Sequence, residues 1–280
     1  MTDKRQRRGT ANPDDPPAIW LGYGKLLKLH RRRAGMTQEQ LAGVIVYSLD
    51  MVSAVERGKR PAKLPFTQAA ERVLDAGGTL LALQEDVDLA RLPRFFHDFA
   101  TLEAEAISFF WYGGYVVPGL LQTEDYARAL LNAHFPPLDE DTLEERLAAR
   151  MDRQAQLKRT KPPLVAVFLI EEAVLYRPMG GPDVMKAQLR KLLEQTELPN
   201  IQIQIMPTSF GAHSGLNGSM VLLETTDHTK VAYVESQDVS SVVSEPDMVS
   251  EFWLRYGMLR SQALNLEESA RLIKRAAGEP

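Results

Sequence analysis

The chain is 280 residues long, with 33 Lys and Arg against 37 Asp and Glu, a formal net charge of −4, and no cysteine. That length predicts a small domain beside a larger one, and the lack of cysteine excludes disulfides and thiolate metal sites and makes a reducing cytoplasm the expected location. The charge is asymmetric: residues 1–63 hold 13 basic and 6 acidic side chains and the remainder 20 and 31, a basic head on an acidic body that suits one end facing phosphates.

In chain order, residues 1–17 come first, carrying Lys4, Arg5, Arg7, Arg8, Pro13, Pro16 and Pro17 and no apolar run. They predict a disordered, solvated tail rather than an arm in the minor groove, and no later run is long enough to span a membrane. Residues 18–88 then read as an all-α helix-turn-helix bundle. Tyr23, Leu27, His30 and Ala34 are spaced by four, three and four, a helix that Gly35 ends, with His30 expected as a satisfied core residue. Leu26, Leu29 and Trp20 lie off that stripe and could form a second apolar face for docking. Thr37 and Gln40 make a capping box ahead of Leu41, Ala42 and Ile45. Ser48 is a good N-cap for a second short helix, with Val52 and Val55 inward and Gly58 as its left-handed stop. Phe66, Ala69, Ala70, Val73 and Leu74 predict a further helix stopped by Gly77-Gly78, and Thr79–Leu83 could add one last turn.

Two short helices joined by a tight turn have the spacing of a DNA-binding helix-turn-helix, whose second helix lies in the major groove. Ser48, Leu49, Asp50, Ser53 and Arg57 are expected to face bases, and Gln38, Lys59 and Arg60 to hold phosphates. Leu49 could meet a thymine methyl, and Asp50 could accept from a cytosine amino group. One short helix reads few base pairs, so a two-fold homodimer on an inverted-repeat operator of double-stranded DNA is expected, with the large domain as the dimerising part. Met36-Thr37-Gln38-Glu39-Gln40-Leu41-Ala42 and Val52-Ser53-Ala54-Val55-Glu56-Arg57-Gly58 together resemble the Xre family of bacterial repressors.

Residues 89–280 predict an α+β domain with a small mixed sheet and helices on one side. Phe95, Phe96, Phe99, Leu102, Ala106, Phe109 and Phe110 recur every three or four residues, the spacing of a helix with an aromatic face. Thr123 caps a helix through Leu131, and another runs from about Asp139 to Lys158. Leu164–Ile170 is an apolar run of the kind buried on both faces of a sheet. Pro182–Glu197 is a helix and Ile201, Ile203 and Ile205 an alternating strand, so the two strands are parallel neighbours joined by a crossover. Ser219–Glu224 and Lys230–Glu235 flank a hairpin turn, Val239–Val243 is a short strand, and helices cover about Pro246–Ala263 and Leu266–Ala276.

Several blocks here resemble the Scr1 toxin–antitoxin-like domain that actinomycete Xre regulators carry. They include Leu102-Glu103-Ala104-Glu105-Ala106, Val117-Pro118-Gly119-Leu120-Leu121-Gln122-Thr123-Glu124-Asp125-Tyr126-Ala127, Arg177-Pro178-Met179-Gly180-Gly181-Pro182 and Gly211-Ala212-His213. The resemblance implies a transcription regulator that binds a small, separately encoded cognate protein. The alternative is a ligand-gated regulator whose large domain senses a small molecule.

The residue pattern itself points away from catalysis, and no cofactor is expected. His213 and Ser214 are adjacent, which does not make a triad, and Gly211, Gly215 and Gly218 are expected to shape a loop. Histidines 30, 97, 134, 213 and 228 show no metal-ligand spacing. Glu103 and Glu105 point to different helix faces. Gly180-Gly181-Pro182 reads as a turn entering a helix. Phe95, Phe99, Phe109, Phe110, Trp111 and Tyr112 could line an effector pocket, but ordinary core is the expected role.

Overall fold

The computed structural model describes residues 16–91, 96–237 and 239–278, and the chain divides into two compact units, up to Arg91 and from Leu92 onward. The expected tail over residues 1–15, and Phe95, lie outside the described residues.

The first unit is helical: α1 (Ala18–Arg33), α2 (Gln38–Ile45), α3 (Leu49–Glu56), α4 (Leu64–Leu74) and, after a short turn at Leu81–Leu83, α5 (Gln84–Leu89). The anticipated caps form. Thr37 and Gln40 make a reciprocal capping box, and the Ser48 hydroxyl accepts from the Met51 amide. Tyr23, Leu27, Leu41, Ile45, Val52, Val55, Phe66 and Leu80 close one core. Helices α1 and α3 cross so closely that a Cβ on Gly24 would lie 2.4 Å from the Val55 carbonyl oxygen, so only glycine fits there. The chain corrects three expectations. The turn at Leu81–Leu83 is not the last one, because α5 follows it, burying Val87 and holding the Ala62 carbonyl through Gln84 at 2.9 Å. Helix α4 ends on Asp75, in the left-handed region, before Gly77-Gly78 is reached. Trp20 and Leu26 pack on the unit's own core, with the Trp20 indole donating to the Val87 carbonyl, which leaves Leu29 exposed. His30 is half-buried, and its Nε2 is satisfied by the Thr79 hydroxyl at 2.9 Å.

The second unit is α+β. It opens with α6 (His97–Glu105) and β1 (Ala106–Gly113), followed by α7 (Glu124–Asn132) and α8 (Glu140–Arg153). Then come β2 (Val165–Glu171), α9 (Glu172–Tyr176), α10 (Pro182–Thr196), β3 (Ile201–Met206) and the strands β4 (Met220–Thr225), β5 (Lys230–Ser236) and β6 (Val239–Val243). Helices α11 (Pro246–Gln262) and α12 (Leu266–Ala276) close it. The six strands form one mixed sheet in the order β3-β2-β1-β4-β5-β6, with β1–β2 and β2–β3 parallel and the rest antiparallel.

The single aromatic helix read across residues 95–110 is therefore two elements. Residues 106–110 lie in β1, the strand at the parallel–antiparallel junction. Both sheet faces are covered, where helices on one side were expected. Phe110 packs edge-on to Trp253 and Tyr256 of α11, while on the opposite face Phe99 of α6 stacks on Tyr233 at 4.1 Å and approaches Phe109. Alternation along β1 sends Phe109 and Phe110 to opposite sides, and each finds a helix there.

A buried polar network holds the segment between β1 and α7. Gln188 of α10 accepts from the Thr123 amide at 2.7 Å and donates to the Leu121 carbonyl at 2.8 Å. Gln122 donates to the Val117 carbonyl and accepts from Arg150; Gln154 and Lys191 both donate to the Gln122 carbonyl. Desolvation, and then the like charge of Arg153, lowers the Arg150 guanidinium to about 10, which leaves it charged at neutral pH. The Val117–Thr123 block of the sequence thus folds as a turn whose main-chain groups are met by Gln122 itself and by Tyr126 of α7, Gln188 and Lys191 of α10, and Gln154. Gln188→Leu leaves the Thr123 amide and Leu121 carbonyl without that partner, so it should cost about 2–4 kcal/mol. Urea unfolding followed by tryptophan fluorescence would measure this, and a loss below about 0.5 kcal/mol would deny the network its structural role.

Candidate nucleic-acid interface

The frame of α1–α3 rests on one buried ion pair. Arg31, near the end of α1, donates through Nε to Glu56 Oε1 at 2.5 Å and through a terminal nitrogen to Oε2 at 3.0 Å. Its other terminal nitrogen donates to the Met36 carbonyl at 2.7 Å, in the turn that enters α2. Gln38, the first residue of α2, donates its amide to Glu56 Oε2 at 2.6 Å. The carboxylate hydrogen bonds hold the Arg31 guanidinium above its ordinary value, against the opposing effect of burial. Helices α1, α2 and α3 therefore meet on a single carboxylate.

This places Gln38 differently from expectation. Its amide turns inward to Glu56, because α2 starts directly over the C-terminal end of α3, and its side chain acts as a brace rather than as an outward phosphate ligand. Ser48 is exposed, but its oxygen serves the cap of α3. Leu49, Asp50 and Arg57 are exposed on one side of α3, Ser53 is half-buried among them, and Arg57 Nε reaches the Ser53 carbonyl at 3.2 Å. Lys59 and Arg60 follow α3, also exposed. One end of the unit thus presents an apolar tip, one carboxylate and three cations.

The turn between α2 and α3 carries strain. Val46, 87% exposed, sits at φ 61° and ψ 47°, a left-handed conformation that a β-branched residue rarely adopts. Val44, 56% exposed in the last turn of α2, adds a second apolar side chain beside it.

The comparisons bear on both units. Residues 23–84 match a helix-turn-helix domain, and residues 96–275 match a domain of unknown function, DUF5753. The chain belongs to the DUF5753 family. No curated protein and no solved structure matches it. The helix-turn-helix match supports a DNA-binding regulator. Among the described residues no helix is long and apolar enough to cross a membrane, and no cluster of His, Asp and Glu is arranged to hold a metal ion.

In the DUF5753 unit the residues weighed for chemistry lie as follows. Glu103 is fully buried and receives Arg153 at 2.9 and 2.6 Å, while Glu105 is exposed. His213 Nε2 stands 3.4 Å from Glu171 Oε1, which accepts from the Tyr112 hydroxyl at 2.5 Å. Burial and that hydrogen bond raise the Tyr112 phenol, so it stays protonated. A Cβ on Gly215 would lie 2.2 Å from the Tyr112 hydroxyl, so the loop passes there only as glycine. Gly180 and Gly181 take positive φ and Pro182 opens α10, a turn into a helix. Of the supposed effector pocket, Phe99, Phe109 and Tyr112 are fully buried and Phe110 and Trp111 half-buried in the sheet core. A cleft of about 530 Å³ opens elsewhere, beside the sheet end, lined among others by Tyr115, Ser214, Val234, Ser236, Ser241 and Phe252.

The Arg31–Glu56 pair was not anticipated from sequence. Its signal was present in the spacing: Arg31 lies four residues beyond buried Leu27, and Glu56 four beyond buried Val52. Two outcomes follow from this geometry. Glu56→Ala, which strands a buried guanidinium, should cost about 3–5 kcal/mol, and the Arg31→Met/Glu56→Leu double variant should recover much of that loss in a thermal-melt cycle. Val46→Asn should instead raise stability by about 1 kcal/mol in the same assay, because asparagine tolerates the left-handed region.

Proposed function

We propose that this protein is a sequence-specific transcriptional regulator of the Xre type, with no catalytic activity and no cofactor, that works on DNA in the cytoplasm. The observation that carries the reading is the solvent-facing side of α3, where Leu49, Asp50 and Arg57 stand clear while Arg31 and Glu56 fix the helix from behind. A helix held from its buried side and open on the other is what a major-groove reader requires. Leu49, Asp50 and Ser53 are the base-facing set, with Ser48 at its start and Arg57 at its end. Lys59 and Arg60 hold phosphates.

The C-terminal unit serves as dimerising and receiving part. A homodimer doubles the site and makes the operator an inverted repeat. The Scr1-like resemblance of residues 95–276 adds a small cognate protein as the partner that changes DNA occupancy. The cleft beside the sheet end favours a second reading, in which a small molecule provides that signal, since its size suits one. Co-purification from the native host separates the two, since a stoichiometric small protein favours the first and a bound metabolite the second; whichever effector is found, operator DNA should shift its affinity by the same factor by which it shifts operator affinity.

The DNA-contact assignment has its own test. Replacing Lys59 and Arg60 with Ala should weaken binding to every sequence and flatten the salt dependence by about two units of slope. Asp50→Ala should change the preferred operator at one position in a selection experiment. An unchanged preference would remove Asp50 from the base-facing set.

A further inference from the structure

The two edges of the six-stranded sheet are finished differently. At the β3 edge the outward main-chain groups of Ile205 are both met. Its amide donates to Ser269 Oγ of α12 at 3.0 Å, and its carbonyl accepts from the Leu264 amide at 2.9 Å. The Gln204 side chain adds a bond to the Leu264 carbonyl. The β6 edge has no such cover. It is the last strand of the order, and among the described residues Val239, Ser241, Val242 and Val243 make no main-chain hydrogen bond beyond β5. Open edges are commonly protected by charge, proline or a bulge. Val239-Ser240-Ser241-Val242-Val243 has none of these, its register with β5 runs unbroken, and shortness is its one safeguard.

The cleft at the sheet end lies beside this edge. Val243 packs in one cluster with Val234 and Phe252, so alternation puts Val239 and Ser241 on that side of the sheet as well. Both line the cleft together with Val234, Ser236 and Phe252, and Val239 is 70% exposed. A strand laid along β6 would pair main chain to main chain and direct every second side chain toward Val239, Ser241 and Phe252. An open edge next to a pocket for alternate side chains is the arrangement that strand addition uses.

Charge indicates what that strand carries. Lys230 lies over the Trp253 ring, and Arg255 pairs with Glu251. Between these two cations, residues 231–254 hold five acidic side chains and no basic one. Glu245 and Asp247, just past β6, are exposed. A second copy of this edge would bring acid against acid, whereas a strand flanked by lysine or arginine meets opposite charge.

We propose that β6 is the docking edge for an extended segment of a separate protein, uncharged and β-branched at its centre and basic at its flanks. The segment adds as one further strand and seats alternate side chains in the cleft. This rests on the partner-binding reading of the C-terminal unit and assigns the partner's surface and its mode of binding.

The probe is the peptide acetyl-Lys-Val-Thr-Val-Thr-Val-Lys-amide, titrated into isotopically labelled full-length protein. Amide resonance shifts should be concentrated at Val239–Val243, with a dissociation constant of about 100 μM or lower. The same peptide with glutamate in place of lysine should bind at least about tenfold more weakly. Ser241→Lys, which sets a like charge on the exposed edge, should weaken the lysine peptide about tenfold with an unchanged circular dichroism spectrum. Lys186→Ala, on the exposed side of α10, should change nothing. Shifts concentrated elsewhere, no shift at about 1 mM peptide, or equal affinity for the two peptides would overturn the proposal. So would a wild-type dimer that Ser241→Lys converts to monomer, because the edge would then belong to a second copy. The partner reading has a separate readout. A small protein that co-purifies equally with the wild type and with Ser241→Lys would overturn this surface and leave that reading standing. Peptide bound at β6, with no small protein recovered from the native host, would do the reverse.

Discussion

The Glu56 carboxylate is the point on which the DNA-facing unit depends. It receives both nitrogens of the Arg31 fork and the Gln38 amide, so α1, the start of α2 and the end of α3 are tied at one place. Arg31 also holds the Met36 carbonyl, which leaves the turn before α2 little freedom. Helices of eight residues are marginal alone. What makes α2 and α3 persist is this clamp together with the core beneath it, and the constraint is geometric as well as energetic. Replacing the pair with apolar residues could preserve stability, but only a fork matched to a carboxylate sets the angle at which α3 leaves the unit. Gly24 acts in the same sense, by letting α1 and α3 approach until no side chain fits between them.

The DUF5753 unit solves a related problem with neutral groups. A segment that leaves the central strand of a mixed sheet must satisfy its main chain before α7 begins. Gln122, Gln154, Gln188 and Lys191 do this from within the unit, which explains why the Val117–Thr123 block reads as a motif although it contains no reactive group. Glutamines serve here because each offers a donor and an acceptor without a charge to desolvate. Glu103, fully buried, is neutralised by Arg153 in the same region, so its prominence in the sequence reflects folding rather than chemistry.

Local patterns in the sequence carried most of the elements. Caps at Thr37, Ser48, Thr123, Asp139 and Asn265 form as their residue types dictate, and β6 covers the anticipated residues 239–243. The failures have physical causes. Residues 106–112, Ser108 apart, are apolar or aromatic on both faces of a doubly covered strand, so they lack the alternation that distinguishes a strand from a buried helix. Helix α5 has one buried apolar side chain, Val87, and is held by Gln84, which leaves no stripe to detect. Gln38 was placed outward because residues at a helix start commonly meet phosphate. The acceptor that turns it inward lies 18 residues further on. The side chains of α3 could be listed from their spacing, but the brace behind them could not, since it joins three helices across 25 residues of chain.

The account depends on α3 entering DNA from the face opposite Glu56. Amide hydrogen exchange on the full-length protein, with and without operator DNA, reads this directly. Slowed exchange should be concentrated at residues 48–60 and at the start of α2, beyond any change elsewhere in the first unit. Slowing confined to residues 96–278, with 48–60 exchanging as in the free protein, would contradict it.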